Sequence, residues 1–352
     1  MNILILTTHL DPGGITRYAL NLSEELSRDH RVWVASSGGS WQDRFSRSGV
    51  GFKWIPIKTK SILDPKIIAC FFNLLPFLVK NKIDVICANT RVTQFLAYLM
   101  YRAGGIPYVS VYHGFYKARY ERKVLKFQGA RTIAVSESVK RHLTEDLGVP
   151  SEQIRVVYNG IDPARFAPRS KKQDSRGRIR LGILGRISAE KGHLLVVETV
   201  KELIADGVNV SLYIAGEGKL KKKVTEYVTR CGLDAYVEFV SADGERFLDM
   251  IDILIVASSK EGFGYIILEA FAKEVPVVAY AVGGIKEIVS DGQNGLLFWQ
   301  YNAGSLKEKL VEIINDYELQ QQLVINGKGS LSRFSLEQMA RETARVLGET
   351  LR

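Results

Sequence analysis

The sequence has little cysteine and proline and no long uninterrupted apolar run. Its 352 residues include only Cys70, Cys87 and Cys231, an odd number without CxxC spacing, which excludes a disulfide framework and argues against a thiolate metal site. Nine prolines are spread through the chain, and no segment is compositionally simple, which excludes an extensively disordered chain. Free thiols fit a reducing cytoplasm, where we expect the protein to act.

The most apolar stretch, Ile67 to Val79, is too short to cross a bilayer. It is interrupted by Asn73 and Pro76, and a spanning helix needs about 20 apolar residues. The start of the chain, MNILIL, has neither the basic region nor the small-residue cleavage site of a secretory signal. The sequence therefore predicts neither a membrane span nor an export signal.

The basic charge is confined to one half of the chain. The whole chain carries a net charge of +10. Residues 1–170 contain 24 Lys and Arg against 13 Asp and Glu, a net +11, whereas residues 171–352 contain 24 against 25, a net −1. The first half therefore favours an anionic partner. We expect no nucleic acid, because no helix-turn-helix, RRM or zinc-finger signature accompanies the charge.

Two series of alternating short apolar runs and helical patterns predict an α/β chain with two doubly wound, Rossmann-like parallel sheets. The stretch Arg169 to Arg178, RSKKQDSRGR, separates the series and is typical of a linker. We expect an N-terminal domain over 1–168, a linker over 169–178, a C-terminal domain over 179–333, and a C-terminal helix over 334–352 that packs back on the first domain. Two C-terminal helical segments are predicted in all. Ligands of such sheets bind beyond the carboxyl ends of the strands, so the loops there are the candidate sites.

Two of these loops contain groups suited to an anion. Gly13 and Gly14 lie between the first predicted strand and its helix, where backbone N–H groups can approach a phosphate. Arg186 and Lys191 follow the strand Ile179 to Leu184 and can converge on an oxyanion. A simple tight turn and solvated surface charges are the respective alternatives.

A third loop, EGFGYIILE, places Glu261 and Glu269 eight residues apart around two glycines. A helix that begins near Gly264 would open its N-terminal amides to a ligand. Helical spacing over eight residues, about 80° beyond two turns, would let the two carboxylates share a broad face if the intervening loop cooperates. Carboxylates accept hydrogen bonds from vicinal hydroxyls such as those of a sugar. The alternative is that Glu269 is a solvated helix residue.

These loops resemble those of the retaining, nucleotide-sugar-dependent glycosyltransferases of family four, whose GT-B fold has two Rossmann-like domains facing across a cleft. Glu261 to Glu269 resembles the E-x7-E signature, Gly185-Arg186 with Lys191-Gly192 the GR…EKG loop, and Gly13-Gly14 the N-terminal donor-phosphate loop. Further similar motifs follow in the family's order: His113-Gly114, Ser136-Glu137-Ser138, Asn159-Gly160-Ile161-Asp162, Gly283-Gly284 with Glu287, and Asp291-Gly292 with Asn294-Gly295.

The resemblance implies a role for each matching residue. Arg186 and Lys191 would hold the nucleotide diphosphate and neutralise the leaving group. Glu269 would bind the donor ribose, Glu261 the transferred sugar, and His113 would lie near the reacting carbon. The catalytic residues expected on this basis are His113, Arg186, Lys191 and Glu261. The donor-binding residues expected are Gly13, Gly14, Arg186, Lys191, Gly216, Glu261, Gly262, Phe263, Gly264, Tyr265 and Glu269.

The resemblance also implies the co-substrates. We expect a UDP-sugar as donor and a glycan or lipid-linked acceptor in lipopolysaccharide or envelope polysaccharide synthesis. We expect no further cofactor and no metal, because the sequence has no DxD or HExxH motif and its five histidines are scattered. The segment Val240 to Asp243 lacks the family's frequent glycine, which leaves the nucleobase open. The competing functions are a non-catalytic sugar-nucleotide or glycan-binding protein and, with weaker motif support, an NAD-dependent oxidoreductase.

A basic segment after His113 suggests contact with an anionic membrane surface or acceptor. Its cations alternate with aromatic and aliphatic residues, as in helices that lie on anionic lipid. They are Lys117, Arg119, Arg122, Lys123 and Lys126. We expect a cytoplasmic protein that is peripheral at the inner face of the cell membrane. A solvated basic face is the alternative interpretation.

Overall fold

The computed structural model describes residues 1–116, 127–166 and 177–351, which form two compact units. Unit 1 comprises Met1–Gly160 and Phe334–Arg352, and unit 2 comprises Ile161–Arg333. The chain therefore leaves unit 1 once, builds unit 2, and returns to unit 1. The basic segment 117–126 and all but the last two residues of the expected linker lie outside the described residues.

The strands and helices alternate along both units. The strands are β1 Asn2–Leu6, β2 Arg31–Ser36, β3 Gly51–Trp54, β4 Val85–Ala88, β5 Tyr108–Tyr112, β6 Arg131–Ala134, β7 Ile154–Val156, β8 Ile179–Leu184, β9 Val210–Ala215, β10 Val237–Val240, β11 Ile253–Val256, β12 Val277–Tyr280 and β13 Leu296–Phe298. The helices are α1 Gly14–Leu26, α2 Gln42–Arg47, α3 Lys66–Lys80, α4 Arg91–Gly104, α5 Glu137–Glu145, α6 His193–Ala205, α7 Lys221–Arg230, α8 Gly244–Met250, α9 Tyr265–Ala272, α10 Ile285–Ile288, α11 Ala303–Asn315, α12 Tyr317–Ser330 and α13 Leu336–Glu349.

Each unit is built on one parallel sheet. The order in unit 1 is β3-β2-β1-β4-β5-β6-β7, and the order in unit 2 is β10-β9-β8-β11-β12-β13. Central strands such as β4, with the sequence VICA, are buried throughout, as a sheet covered on both faces requires. Both orders reverse beside the first strand of the unit, which confirms the predicted pair of Rossmann-like, doubly wound sheets. The carboxyl ends of β1 with β4 and of β8 with β11 are therefore where a ligand is expected.

The last helix, α13, completes unit 1. It buries one side against α1 and β6, and its Glu349 forms ion pairs with Arg131 at 3.5 Å and Arg155 at 3.6 Å. Gly160 packs so closely that a Cβ built there would overlap the carbonyl group of Ser335. The end of the first unit 1 segment, at Gly160, thus packs directly against the start of the second, at Ser335.

Several elements differ from the sequence-based prediction. Two C-terminal helical segments were predicted, but the structure has three helices there, α11, α12 and α13. The short strands β3, β7 and β13 were not predicted, and the apolar stretch Ile67 to Val79 lies within α3. Within the described ranges, no helix combines the length and apolar content needed to span a bilayer.

Candidate functional site

The reversal point of unit 2 carries an ion pair between two sequence-predicted site residues. Lys191 follows β8 and Glu261 follows β11, and these strands are neighbours in the sheet. The Lys191 Nζ lies 2.6 Å from Glu261 Oε2, which also accepts a hydrogen bond from the Ser258 hydroxyl at 3.2 Å. Both side chains of the pair are partly exposed. A cation and a carboxylate therefore stand together at the sheet edge, accessible to a ligand.

Backbone packing fixes the two loops that bear this pair. Gly192 has φ 74°, and a Cβ built there would overlap the carbonyl oxygen of Ala257. The Tyr301 hydroxyl donates to the same carbonyl at 3.0 Å, and the amide of Ser259 donates to the Glu190 carbonyl at 2.8 Å. Glycine at position 192 is therefore needed for both its conformation and its lack of a side chain. The close contact keeps Lys191 within reach of Glu261.

Arg186 lies in the same β8 loop but is not part of the ion pair. The loop packs on the loop after β9, where a Cβ on Gly216 would overlap the Gly185 carbonyl and the Ile187 amide donates to the Glu217 carbonyl at 2.9 Å. The Arg186 side chain is exposed and has no hydrogen bond or ion pair with the part of the chain that the structure describes. Gly216 thus has a packing role, and Arg186 is a cation available to an anionic ligand.

Glu269 lies inside α9, apart from the Lys191 pair. Its residue is only 6% exposed, and a Cβ built on Gly244 at the start of α8 would lie 2.5 Å from its Oε2. The helix begins at Tyr265, behind Gly264 with φ 102°. Glu261 precedes the helix, so helical spacing alone does not relate the two carboxylates. Glu261 contacts Lys191, whereas Glu269 lies against α8.

The glycine-rich part of this loop is tightly packed. The Gly284 amide donates to the Glu261 carbonyl at 3.0 Å, and a Cβ on Gly284 would overlap the Gly262 carbonyl. The Phe263 side chain is buried, with its ring centroid 6.4 Å from that of Tyr265. Phe263 therefore contributes its side chain to the core, and any contact with a ligand is left to its backbone.

In unit 1, His113 lies one strand away from the point where the strand order reverses. This residue follows β5, and its Nε2 lies 3.0 Å from Asn89 Oδ1 at the end of β4. The Asn89 Nδ2 faces the carbonyls of Leu6 at 3.2 Å and Cys87 at 3.4 Å, so its Oδ1 accepts and His113 Nε2 carries the proton. Burial lowers the pKa of His113 to about 3. The imidazole is thus neutral at pH 7 and keeps Nδ1 as an acceptor.

Helices α1, α6 and α9 each begin behind a glycine. The residues that precede α1, α6 and α9 are Gly13, Gly192 and Gly264, which have no side chain to cap the first N–H groups. Neither Gly13 nor Gly14 would meet another group if it carried a Cβ. By contrast, Thr90 caps α4 and Ser136 caps α5 through their hydroxyls. The N-termini without a side-chain cap leave more N–H groups for an anionic ligand than the capped ones do.

Sequence reasoning missed Gly244 and His193. Gly244 follows Asp243, whose carboxylate caps α8. A glycine directly after a helix cap can be recognised in the sequence, but its nearness to Glu269 cannot. His193 is 2% exposed, and neither ring nitrogen has a partner among the described residues. Burial, reinforced by the charge of Lys191, lowers the His193 pKa to about 4. A buried, neutral imidazole therefore stands beside the charged loop.

Comparisons with known proteins agree with this arrangement. The family model described as Glycosyltransferase Family 4 matches residues 12–165, and the model described as Glycosyl transferases group 1 matches residues 166–330. The chain is 30% identical over 257 residues, 69% of each sequence, to an uncharacterised glycosyltransferase of Methanocaldococcus jannaschii. It is 26% identical over 220 residues, 58% of each, to the capsular polysaccharide biosynthesis glycosyltransferase CapM of Staphylococcus aureus. The crystal structure of Anabaena HepE with UDP-glucose has a TM-score of 0.86 at 20% identity, covering 99% of this chain and 100% of that one.

The buried His193 predicts a specific pH dependence of stability. Because its folded pKa of about 4 lies below the ordinary 6.5, its neutral form stabilises the fold fully above pH 6.5, and this contribution is lost as the pH falls towards 4. Between pH 7 and pH 5, wild type should lose about 2 kcal/mol more unfolding free energy than His193→Leu. Urea unfolding followed by circular dichroism at both pH values measures this difference. His9→Leu, which removes an exposed imidazole, is the matched control, and equal losses in wild type and His193→Leu would refute the assignment.

Proposed function

The chain belongs to the family-4 glycosyltransferases, with the GT-B fold, and on this premise we propose that it transfers a sugar from a UDP-sugar to a glycan or lipid-linked acceptor. We further propose that the transfer retains the anomeric configuration, needs no metal, and serves lipopolysaccharide or other envelope-polysaccharide assembly on the cytoplasmic side of the membrane. The observation that carries the proposal is the Lys191–Glu261 pair, with exposed Arg186 beside it, at the reversal point of the unit 2 sheet. UDP-glucose in HepE supports the donor class, and the capsular role of CapM supports the acceptor class.

In this proposal Lys191 and Arg186 hold the donor diphosphate. The Lys191 ammonium has three hydrogens and gives one to Glu261, which leaves others for phosphate oxygens. The Arg186 guanidinium offers a planar pair of donors. Negative charge grows on the diphosphate as it leaves, so fixed cations favour the transition state without a divalent ion. The backbone amides at Gly13 and Gly14 and at Gly262 to Gly264 are the proposed uncharged donors.

The two carboxylates then take different hydroxyls. We assign Glu269, buried against α8, to the donor ribose, because a carboxylate can accept hydrogen bonds from both hydroxyls of a vicinal diol. Glu261, held by Lys191 and Ser258, is assigned to the transferred sugar. His113, neutral with Nδ1 as an acceptor, is assigned to a hydroxyl of that sugar. A neutral imidazole adds no positive charge beside the oxocarbenium character that develops at the anomeric carbon.

The function is tested by ligand-induced stabilisation followed by turnover. A ligand at 100 times its Kd adds about 2.7 kcal/mol to the unfolding free energy. UDP should therefore raise the melting temperature, and it should do so more than GDP, ADP or CDP because uridine is the proposed nucleoside of the donor. The UDP-sugars that stabilise the protein should be hydrolysed, or their sugar should be transferred to a glycan acceptor. NMR of the product should show the same anomeric configuration as in the donor. Rates should be unchanged in EDTA. Stabilisation without turnover would indicate a non-catalytic binder, and a loss in EDTA restored by Mg²⁺ would overturn metal independence.

Gly244 should act as a positioning residue for Glu269. Gly244→Ala places a methyl group 2.5 Å from the present position of Glu269 Oε2, and the flexible carboxylate can move away at little cost in folding. We expect the UDP affinity to fall about 10-fold, equivalent to about 1.4 kcal/mol, while the unfolding free energy changes by less than about 1 kcal/mol. Isothermal titration calorimetry and urea unfolding measure the two effects.

Two further variants make this result interpretable. Glu269→Ala should lose UDP binding, and Gly329→Ala, at a helical glycine with open space around it, should bind as wild type does. If Glu269→Ala binds UDP normally, the ribose assignment is wrong. If Glu269→Ala fails to bind but Gly244→Ala binds normally, only the positioning role is wrong.

Arg186→Ala should lower turnover more than donor affinity. The side chain has no partner among the described residues, so its removal leaves no unpaired group in the free protein. Loss of a charge that acts mainly on the leaving diphosphate should reduce kcat about 100-fold with KM changed only a few-fold. Steady-state kinetics measure the split, with Lys223→Ala on the same unit as the control. A raised KM at unchanged kcat would instead indicate that Arg186 binds the donor equally in the ground state and in the transition state.

A further inference from the structure

Helix α3 of unit 1 is apolar on two faces, and only one of them is buried. Its inner face, formed by Ile67, Cys70, Leu74 and Leu78, belongs to the unit 1 core. A second row consists of Ile68, Phe72, Leu75 and Val79, which we call the outer stripe. At 100° per residue these four positions fall within an arc of about 60°.

Three of the four side chains of the outer stripe are exposed, and the fourth, Leu75, is half-buried beside the unit 1 core. Ile68 is 61%, Phe72 67% and Val79 74% exposed, and Leu63, in the turn before the helix, is 86% exposed. Isolated apolar side chains on a surface are ordinary, but a continuous row marks a contact surface. The inner face of the same helix is packed into the unit 1 core. Loose packing of the helix therefore does not explain why the outer stripe is exposed.

Lysines border the outer stripe. Lys60 and Lys66 lie at its N-terminal end and Lys80 at its C-terminal end; all three are exposed and none has an ion pair within the described ranges. Asp64 is the single acidic residue between positions 55 and 83, and its carboxylate accepts from the Lys66 amide at 3.0 Å. The surface thus combines an apolar row with uncompensated positive charge.

We propose that the outer stripe, with Leu63 and the three lysines, docks unit 1 on an anionic lipid bilayer. Lipid offers both acyl chains for the stripe and phosphate for the lysines. A second copy fits less well, because a two-fold contact would set the lysines against each other with one aspartate per chain to offset them. The 15-residue helix is about 22 Å long, shorter than the roughly 30 Å hydrocarbon core, and it lies in the interface.

This inference deepens the membrane part of the proposed function by naming the docking surface. It concerns different residues from the basic segment 117–126, which lies outside the described residues. Vesicle binding requires neither donor nor acceptor, so it can be measured whether or not the chain transfers a sugar. The UDP-dependent melting shift of every variant tests the donor site separately.

The test is flotation with vesicles of phosphatidylcholine containing 30% phosphatidylglycerol, compared with phosphatidylcholine alone. Wild type should float with the anionic vesicles at low salt and much less at high salt, where charge is screened. Phe72→Ser with Val79→Ser should reduce the bound fraction at least 10-fold, and so should the triple change Lys60→Gln, Lys66→Gln and Lys80→Gln. Circular dichroism melts should match wild type, because these side chains lie outside the core.

Matched controls come from unit 2. Tyr317→Ser with Ile325→Ser removes two apolar side chains of similar exposure, each 68%, and should float as wild type does. The triple change Lys219→Gln, Lys222→Gln and Lys223→Gln removes three unit 2 lysines and should also float. Equal loss in these controls would show that binding follows total charge or hydrophobicity and not this surface.

Three results would overturn the inference. If wild type does not float with anionic vesicles, the protein has no such docking surface. Floating of the outer-stripe variant at the wild-type level would place the contact elsewhere, for example in residues 117–126. A concentration-dependent dimer in light scattering that the Phe72 and Val79 changes abolish would make the stripe a contact between two copies of the chain.

Discussion

The candidate site depends on one constraint: parallel strands end at the same edge of their sheet. Because β8 and β11 are neighbours at the point where the strand order reverses, residues 70 positions apart meet as an ion pair. The same geometry in unit 1 brings Asn89, after β4, to His113, after β5, and anchors Asn89 on the carbonyl of Leu6 at the end of β1. Each of these contacts joins loops that only the sheet order makes adjacent.

The charges at this edge are held by close backbone packing. The loop after β8 packs through Gly192 against the loop after β11 and through the Gly185 carbonyl against Gly216 after β9, and neither Gly192 nor Gly216 has room for a side chain. Lys191 and Glu261 therefore meet without an ordering cost when a ligand arrives, which is the preorganisation that electrostatic catalysis needs. The imidazole that lies next to Lys191 in the chain, His193, is buried and neutral at pH 7. The cationic character of the edge is consequently left to Lys191 and Arg186.

Much of the fold could be predicted because most strands are apolar throughout and the helices between them are amphipathic. The predicted strand Ile179 to Leu184 matches β8, and the helix predicted from Gly264 begins one residue later. Strands β3 and β7, with the sequences GFKW and IRV, are too short and too polar to show a pattern. Helix α3 was not predicted, because its high apolar content directed attention to a membrane span and not to a helix of the domain.

The site itself could be predicted only in part. Glycines and charges after strands indicated the loops, because strand ends converge in any parallel sheet. The sequence does not predict which of these groups contact each other. The pairing of Lys191 with Glu261, the nearness of Gly244 to Glu269 and the burial of His193 all depend on distances between elements far apart in the chain.

The return of the chain from unit 2 to unit 1 has a consequence for synthesis. Unit 2 is contained in one continuous segment, Ile161–Arg333, whereas unit 1 needs α13 from beyond that segment. On the ribosome, unit 2 can therefore close before unit 1, although most of unit 1 is made first. Until α13 emerges, the apolar surfaces of α1 and β6 that it covers stay exposed to solvent. Unit 1 is thus the unit that completes its core last, although its first strand is the first to be made.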